Sequence, residues 1–242
     1  MAVFQSVFDI IGPVMVGPSS SHTAGAVRIG LAARSIFGEK PEEVVITFFG
    51  SFGHTYRGHG TDIAMIAGLL GKPTASEEIR HAYKLAEKEG MRVEVKVSDR
   101  NAGHPNTAQV VMHACDRTMS ITARSIGGGM IDLVEVDGFN VHVSCDNPVV
   151  LIFHRDRPGL IATVTRFLAE YEVNVSQMEV SRKERGSQAL MIVATDGTIP
   201  QEVTDKIRDI RDVGPIIFLS ALKREPDLVP IDSIAKQKGL TV

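Results

Sequence analysis

Two cysteines in 242 residues, Cys115 and Cys145, are too few and too far apart to hold a zinc ion or an iron–sulfur cluster with this chain's thiols alone. There is no Cys-x-x-Cys pairing, and the two thiols are read as reduced and structural. Also missing is any apolar run of transmembrane length. The start, Met1-Ala2-Val3-Phe4-Gln5-Ser6-Val7-Phe8, lacks the basic stretch and long apolar segment of a secretion signal, so a soluble cytoplasmic protein without membrane contact is expected. Charge of one sign is absent as well: 26 Lys and Arg stand interspersed with 29 Asp and Glu, a net charge of -3, which offers no face for nucleic acid and no polybasic patch. No Gly-x-Gly-x-x-Gly joins a strand to a helix with an acidic residue downstream, which argues against a nicotinamide-dependent dehydrogenase. Small, locally recognised partners remain.

What is present is enough apolar sequence, 43% of residues, for two domains with buried cores. Ala24, Val27, Leu31 and Ile36 recur at helical spacing, with Gly38 in the stop position. The β-branched and aromatic run 44–49 predicts a buried strand, followed by a glycine-rich loop over 50–62 and an apolar helix over 63–70 closed by Gly71. Thr74-x-x-Glu77 reads as a capping box opening a charged amphipathic helix that ends near Gly90. From Met91 the period changes to two, and 91–97, 108–114, 119–126, 131–136 and 139–144 predict an antiparallel sheet, with Asp137-Gly138 as a hairpin turn. The first domain, 1–147, is therefore α+β. A second, 148–222, follows as strand 149–153, a loop over 154–159, a helix to Tyr171, strands 173–182 and 187–195, a helix over 200–208 and a strand over 213–222. That is the βαββαβ order of a ferredoxin-like fold. Residues 223–242, with Pro226 and Pro230 and little periodicity, are read as a tail.

The densest chemistry lies in Gly17-Pro18-Ser19-Ser20-Ser21-His22-Thr23, where a loop is expected to become a helix. Unpaired N–H groups of a first helical turn favour an anion without Lys or Arg, and serine hydroxyls add donors. One Ser suffices as an ordinary N-cap; three, with His and Thr, exceed that need. A second motif, Gly58-His59-Gly60-Thr61-Asp62, sets an imidazole between glycines, suited to proton transfer near neutrality or to capping the helix that starts at Thr61-Asp62. Gly103-His104-Pro105-Asn106-Thr107 places His104 and Asn106 in a polar loop that either lines the same cleft or is only a turn. Gly127-Gly128-Gly129 lies between strands, where a bend or a close contact explains it better than a phosphate cradle.

Together with Arg124-Ser125-Ile126-Gly127-Gly128-Gly129, these motifs in this order make the first domain resemble the β chain of bacterial iron–sulfur-dependent L-serine dehydratase (L-serine ammonia-lyase). The second domain resembles an ACT domain, a module widely used to sense amino acids, and the match spans nearly the whole chain. The resemblance implies an α chain as partner, whose cysteines ligate a [4Fe–4S] cluster with one iron acting as Lewis acid, and an active site between the two chains. It implies conversion of L-serine to pyruvate and ammonia, a step of amino-acid metabolism and gluconeogenesis, without pyridoxal phosphate; no lysine stands in a Schiff-base motif. No metal ligand is expected from this chain. Elimination needs a carboxylate anchor, a base near the α-carbon and an electrophile for the departing hydroxide. Ser19, Ser20, Ser21 and Thr23 are the candidates for the anchor, His59 for the base, His22 for orientation or proton transfer, and Thr61 and Asp62 for orienting the ring or capping. In the ACT-like domain His154, Asp156, Pro158, Gly159 and Asn174 are the candidate regulatory contacts, against the plainer reading of a solvated charged loop. Serine-binding relatives often carry Asn at the place of Asp156. Self-association through ACT sheets is also implied. The competing reading is a non-catalytic amino-acid-binding regulatory protein, since the first domain is also similar to a regulatory domain of some D-3-phosphoglycerate dehydrogenases. The pair His22 and His59, which binding alone does not require, separates the two.

Overall fold

The structure is a computed structural model that describes residues 14–221. The expected tail and the reading of the first eight residues lie outside that range. A π-helical turn, Ser20–Ala24, runs directly into helix α1 (Gly25–Phe37), which stops at Gly38 in the left-handed conformation. Strand β1 (Glu43–Phe49) leads into α2 (Gly50–His59) and α3 (Thr61–Leu69). A 3-10 turn (Glu77–His81), α4 (Ala82–Lys88) and strands β2 (Arg92–Ser98), β3 (Thr107–Ala114), β4 (Arg117–Gly127), β5 (Met130–Val136) and β6 (Phe139–Ser144) complete the first sheet. The second unit comprises β7 (Val149–Arg155), α5 (Leu160–Glu170), β8 (Val175–Arg182), β9 (Gln188–Thr195), α6 (Gln201–Arg208) and β10 (Val213–Leu219). The α+β class and the βαββαβ order are both present. Among the described residues no helix is long and apolar enough to cross a membrane.

Three local expectations are corrected. The glycine-rich stretch 50–62 is not a loop but helix α2, a left-handed Gly60 and the start of α3. Its glycines serve packing: a Cβ on Gly53 would lie 2.8 Å from Val97 Cγ1, and one on Gly50 2.9 Å from the Pro105 backbone. The capping box at Thr74 does not form, because the Thr74 hydroxyl donates to the Val14 carbonyl at 2.8 Å and Ser76 accepts from the Glu78 N–H instead. The first sheet, ordered β2-β1-β3-β4-β5-β6, is not wholly antiparallel: β1 joins it, and β2 pairs with β1 in parallel. The helices between β1 and β2 supply the long crossover that a parallel pair requires. Asp137 and Gly138 both take positive φ, as a tight hairpin turn demands.

Helices α1 and α3 cross at two glycines. A Cβ on Gly30 would sit 2.4 Å from the Met65 carbonyl oxygen, and one on Gly68 2.1 Å from the Val27 carbonyl oxygen, so the backbones themselves are in contact. The crossing buries Val27, Ile29, Ala33, Met65 and Leu69 against Ile46, Phe48, Val110 and Ile121 of the sheet. In the second sheet, ordered β10-β7-β9-β8, alternate residues of β7 face opposite ways. Val150 and Ile152 pack on α5 and α6, while Val149 and Leu151 enter the core of the first domain together with Leu190, Ile192 and Leu219. Phe139 and Phe153 meet edge to face at 6.0 Å across this seam. The free edge of β6 is capped by β8 side chains: the His142 N–H donates to Glu179 Oε2 at 2.7 Å, and Gln177 Nε2 donates to the His142 carbonyl at 2.6 Å.

Alanine normally stabilises a helix relative to glycine by about 0.5–1 kcal/mol. Gly30→Ala and Gly68→Ala are expected to do the reverse, lowering unfolding free energy in urea by about 2–3 kcal/mol through backbone clash. Gly58→Ala, which meets open space in α2, should leave stability unchanged or slightly higher in the same assay.

Candidate active site

The serine-rich run is already helical. Ser19 is the N-cap, its Oγ accepting the His22 N–H at 3.1 Å, and the Gly25 N–H reaches back five residues to the Ser20 carbonyl. A π turn of this kind is wider than an α turn and occurs frequently at functional sites. Burying His22 at its centre brings Ser21 Oγ to 3.1 Å and Ser19 Oγ to 3.5 Å from Nδ1, and Ser51 Oγ to 3.2 Å from Nε2. The ring also stacks edge to face on Phe52 at 5.1 Å and on His59 at 4.7 Å. Burial first, and then the neighbouring His59, hold the His22 imidazole below its ordinary pKa, so it is neutral near pH 7.

His59 closes α2, and the left-handed Gly60 lets the chain turn at once into α3. Its Nδ1 is buried and without a hydrogen-bond partner among the described residues; so are the hydroxyls of Thr61 and Ser125. Ser125 lies on β4 under the serine-rich turn, so close that a Cβ on Gly25 would fall 2.1 Å from its Oγ. The Thr23 hydroxyl ties the turn to α2 through the His59 carbonyl at 3.5 Å. Of the four hydroxyls expected to hold an anion, Ser19 and Ser21 serve His22 and Thr23 serves the His59 backbone. The Ser20 hydroxyl alone among them has no hydrogen bond within the described residues.

The remaining first-domain candidates divide. Asp62 is turned away from the pair and takes the Tyr83 hydroxyl on Oδ2 at 2.9 Å, so it anchors α4 to the start of α3; burial, reinforced by Asp62, pushes the Tyr83 phenol up. His104 accepts the Asn106 N–H on Nδ1 at 3.2 Å, which makes that nitrogen the unprotonated one. Burial, then Arg124, lowers its pKa against the opposing pull of Asp132. Their loop abuts the start of α2, with the Phe52 N–H on the Pro105 carbonyl at 3.2 Å, and His104 shares a cavity of about 390 Å³ with Gly50, His54 and Arg100. The Gly129 carbonyl accepts from buried Arg28 at 2.8 Å, locking the glycine turn onto α1. Ser51, Phe52 and Ser125 were not singled out from sequence. Reading 50–59 as a helix would have shown Phe52 and His59, seven apart, on one face.

In the second domain the five candidates do not converge. Asp156 accepts from the Gly186 N–H at 3.1 Å and from Arg182 at 3.0 Å, and these two hold its carboxyl below the usual range. Asn174 donates to Asp196 at 2.6 Å, beside the pairing of Val175 with Thr195, and β7 starts at that end of the sheet. Loop 156–159 follows the other end of β7, about 20 Å away along a strand of this length. His154 donates through Nδ1 to the Arg155 carbonyl at 2.9 Å, its Nε2 buried and without a partner among the described residues, and lines a cavity of about 670 Å³ with Phe153, Arg155, Arg185 and Pro215. Pro158 and Gly159 precede α5, with Gly159 left-handed at its start.

As donors for a metal cluster this chain's thiols do not fit. Cys145 is buried and its thiol is pushed up by burial, then by Asp146, while Cys115 stands apart and exposed. No group of three His, Cys, Asp or Glu side chains among the described residues is placed to hold a metal ion.

Comparison with known proteins bears on the whole arrangement. Residues 6–135 match the family "Serine dehydratase beta chain" and residues 148–212 match the ACT domain. The chain is 46% identical over 210 residues to a probable L-serine dehydratase beta chain of Bacillus subtilis (strain 168), covering 87% of this chain and 96% of that protein. It is 29% identical over 204 residues to the L-serine dehydratase beta chain of Peptoniphilus asaccharolyticus, covering 84% and 92%. It is also 26% identical over 190 residues to D-3-phosphoglycerate dehydrogenase of B. subtilis, covering 78% of this chain but 36% of that protein.

Because His22 and His104 both lie below the ordinary imidazole value, the unfolded chain binds protons that the folded chain refuses. The stability due to the neutral rings is present above about pH 6.5 and is lost as pH falls below it. Urea midpoints followed from about pH 7.5 to about pH 5 should fall, and less steeply in His22→Gln; an identical slope in that variant would remove His22 from the account.

Proposed function

The chain belongs to the serine dehydratase beta-chain family and carries an ACT domain, and on that premise we propose that it is the β subunit of an iron–sulfur-dependent L-serine dehydratase. With an α chain whose cysteines carry a [4Fe–4S] cluster, it converts L-serine to pyruvate and ammonia in the cytoplasm. The cluster supplies the electrophile that the departing hydroxide needs; the proton and the carboxylate are the business of this chain.

The observation that carries the proposal is the histidine pair beside the serine-rich turn. The Ser20 and Ser21 N–H groups head the helix with no carbonyl behind them, and the Ser20 hydroxyl is free to join them on a carboxylate. Neutral donors hold the anion without quenching the groups that react. His59 is the base: His22 has a hydroxyl at each ring nitrogen, whereas among the described residues His59 has none. Removal of the α-proton by His59 and loss of the β-hydroxyl as water leave 2-aminoacrylate, which hydrolyses to pyruvate and ammonia. The ACT domain senses an amino acid and mediates self-association. Similarity to D-3-phosphoglycerate dehydrogenase over most of this chain favours the second reading, a binding protein without catalysis, and the histidine pair speaks against it.

Co-expression with the α chain should give a complex that deaminates L-serine, and this chain alone should be inactive. In the complex His59→Ala should lower kcat by about 100-fold or more, whereas Ser20→Ala should raise KM by about tenfold with kcat little changed. Wild-type turnover by His59→Ala would sink the assignment of the base.

A further inference from the structure

His22 is held from two sides by different parts of the chain. On Nδ1 stand Ser21 and Ser19 of its own turn, themselves 3.3 Å apart. On Nε2 stands Ser51, from the first turn of α2, at 3.2 Å. The same helix supplies the Phe52 ring and the His59 ring against which His22 packs. Of these three α2 side chains, Ser51 is the one that reaches a ring nitrogen.

A hydroxyl either donates or accepts, so serine partners on both nitrogens leave the tautomer open by themselves. The place of Ser51 decides it. Its hydroxyl has no side-chain partner among the described residues other than Nε2, so its one proton is satisfied by donating there, whereas Ser19 and Ser21 on the Nδ1 side lie 3.3 Å apart and can satisfy one another. We propose that Ser51 is a positioning residue whose hydroxyl donates to His22 Nε2, fixing the Nδ1-protonated tautomer and holding the ring edge-on to His59. The Nδ1–H then donates to Ser21, and the backbone N–H of His22 donates to Ser19. Held in this way, His22 offers no free basic nitrogen: Nε2 is covered by a hydroxyl and Nδ1 by a proton. A proton drawn into the site goes to His59, and it arrives beside a neutral ring. Ser51 thereby selects which of two adjacent histidines acts as base.

The consequence for turnover rests on the dehydratase reading; the tautomer does not. In the full-length chain with nitrogen-15-labelled imidazoles, His22 should show a protonated Nδ1 and a bare Nε2. Ser51→Ala should show exchange between tautomers, and Ser51→Thr, which keeps the hydroxyl, should restore the wild-type pattern. A wild-type His22 protonated on Nε2, or a Ser51→Ala spectrum identical to wild type, overturns the proposal. In the complex with the α chain, Ser51→Ala should lower kcat for L-serine by about tenfold with KM unchanged, and Ser51→Thr should recover it. Unchanged kcat in Ser51→Ala overturns the selection of the base. If the complex fails to deaminate L-serine at all, the dehydratase reading falls, while the imidazole spectra still decide what Ser51 does to His22.

Discussion

The contact on which the rest depends is the crossing of α1 and α3 at Gly30 and Gly68, where carbonyl oxygens lie within 2.4 Å of where a Cβ would be. Helices normally stand 8–10 Å apart, separated by side chains. Here the backbones touch, and the starts of both helices are drawn to the same end of the first domain. One start is the serine-rich turn; the other is His59-Gly60-Thr61. The 4.7 Å contact between His22 and His59 is thus a consequence of two residues that carry no side chain and take no part in chemistry. Looser packing of the pair would separate the serine-rich turn from His59 before it unfolded anything.

The second domain is attached by the same logic of shared burial. A four-stranded sheet with helices on one face leaves its other face apolar, and in this chain that face is filled by Phe37, Phe139, Val141 and their neighbours. The seam is continuous with the core beneath α1, so α1 touches the serine-rich turn at one end and lies against β10 of the ACT domain near the other. Ordering in one domain is felt in the other through packed side chains, since a close-packed interior transmits strain. Only the four residues 145–148 lie between them, since β6 ends at Ser144 and β7 begins at Val149.

What was legible in the sequence was local. That Ser19–Thr23 opens a helix follows from residue types within one turn, and the strand order of the ACT domain from period-two runs bounded by turn residues. What was hidden depended on partners distant in sequence. Three glycines disguised α2, because a glycine in a helix signals weakness until the residue it must avoid, Pro105 or Val97, is known. Asp62 looked like a companion of His59 until Tyr83, 21 residues on, took it. Ser125 sits against Gly25 across one hundred residues, and nothing in either neighbourhood announces it. Asn174 and loop 156–159 were grouped by chemistry, but a strand of seven residues separates them.

Three buried polar atoms, His59 Nδ1, Thr61 Oγ1 and Ser125 Oγ, lack partners among the described residues. All three belong to elements that meet the serine-rich turn. A buried donor or acceptor left unpaired typically destabilises a fold by about 1–3 kcal/mol, and most native cores avoid it. Three around one turn make this the part of the first domain with the most unmet side-chain hydrogen bonds among the described residues. Hydroxyls and an imidazole are also the groups that accept a zwitterion with a hydroxyl, since they donate or accept as needed and bring no net charge of their own. A charged anchor such as arginine would bind the carboxylate more tightly but, like the hydroxyls, would hold ground state and transition state alike, so it would not raise kcat. On the proposed reading the site therefore binds without placing a charge beside the reacting groups, and the strong electrophile comes from outside the chain.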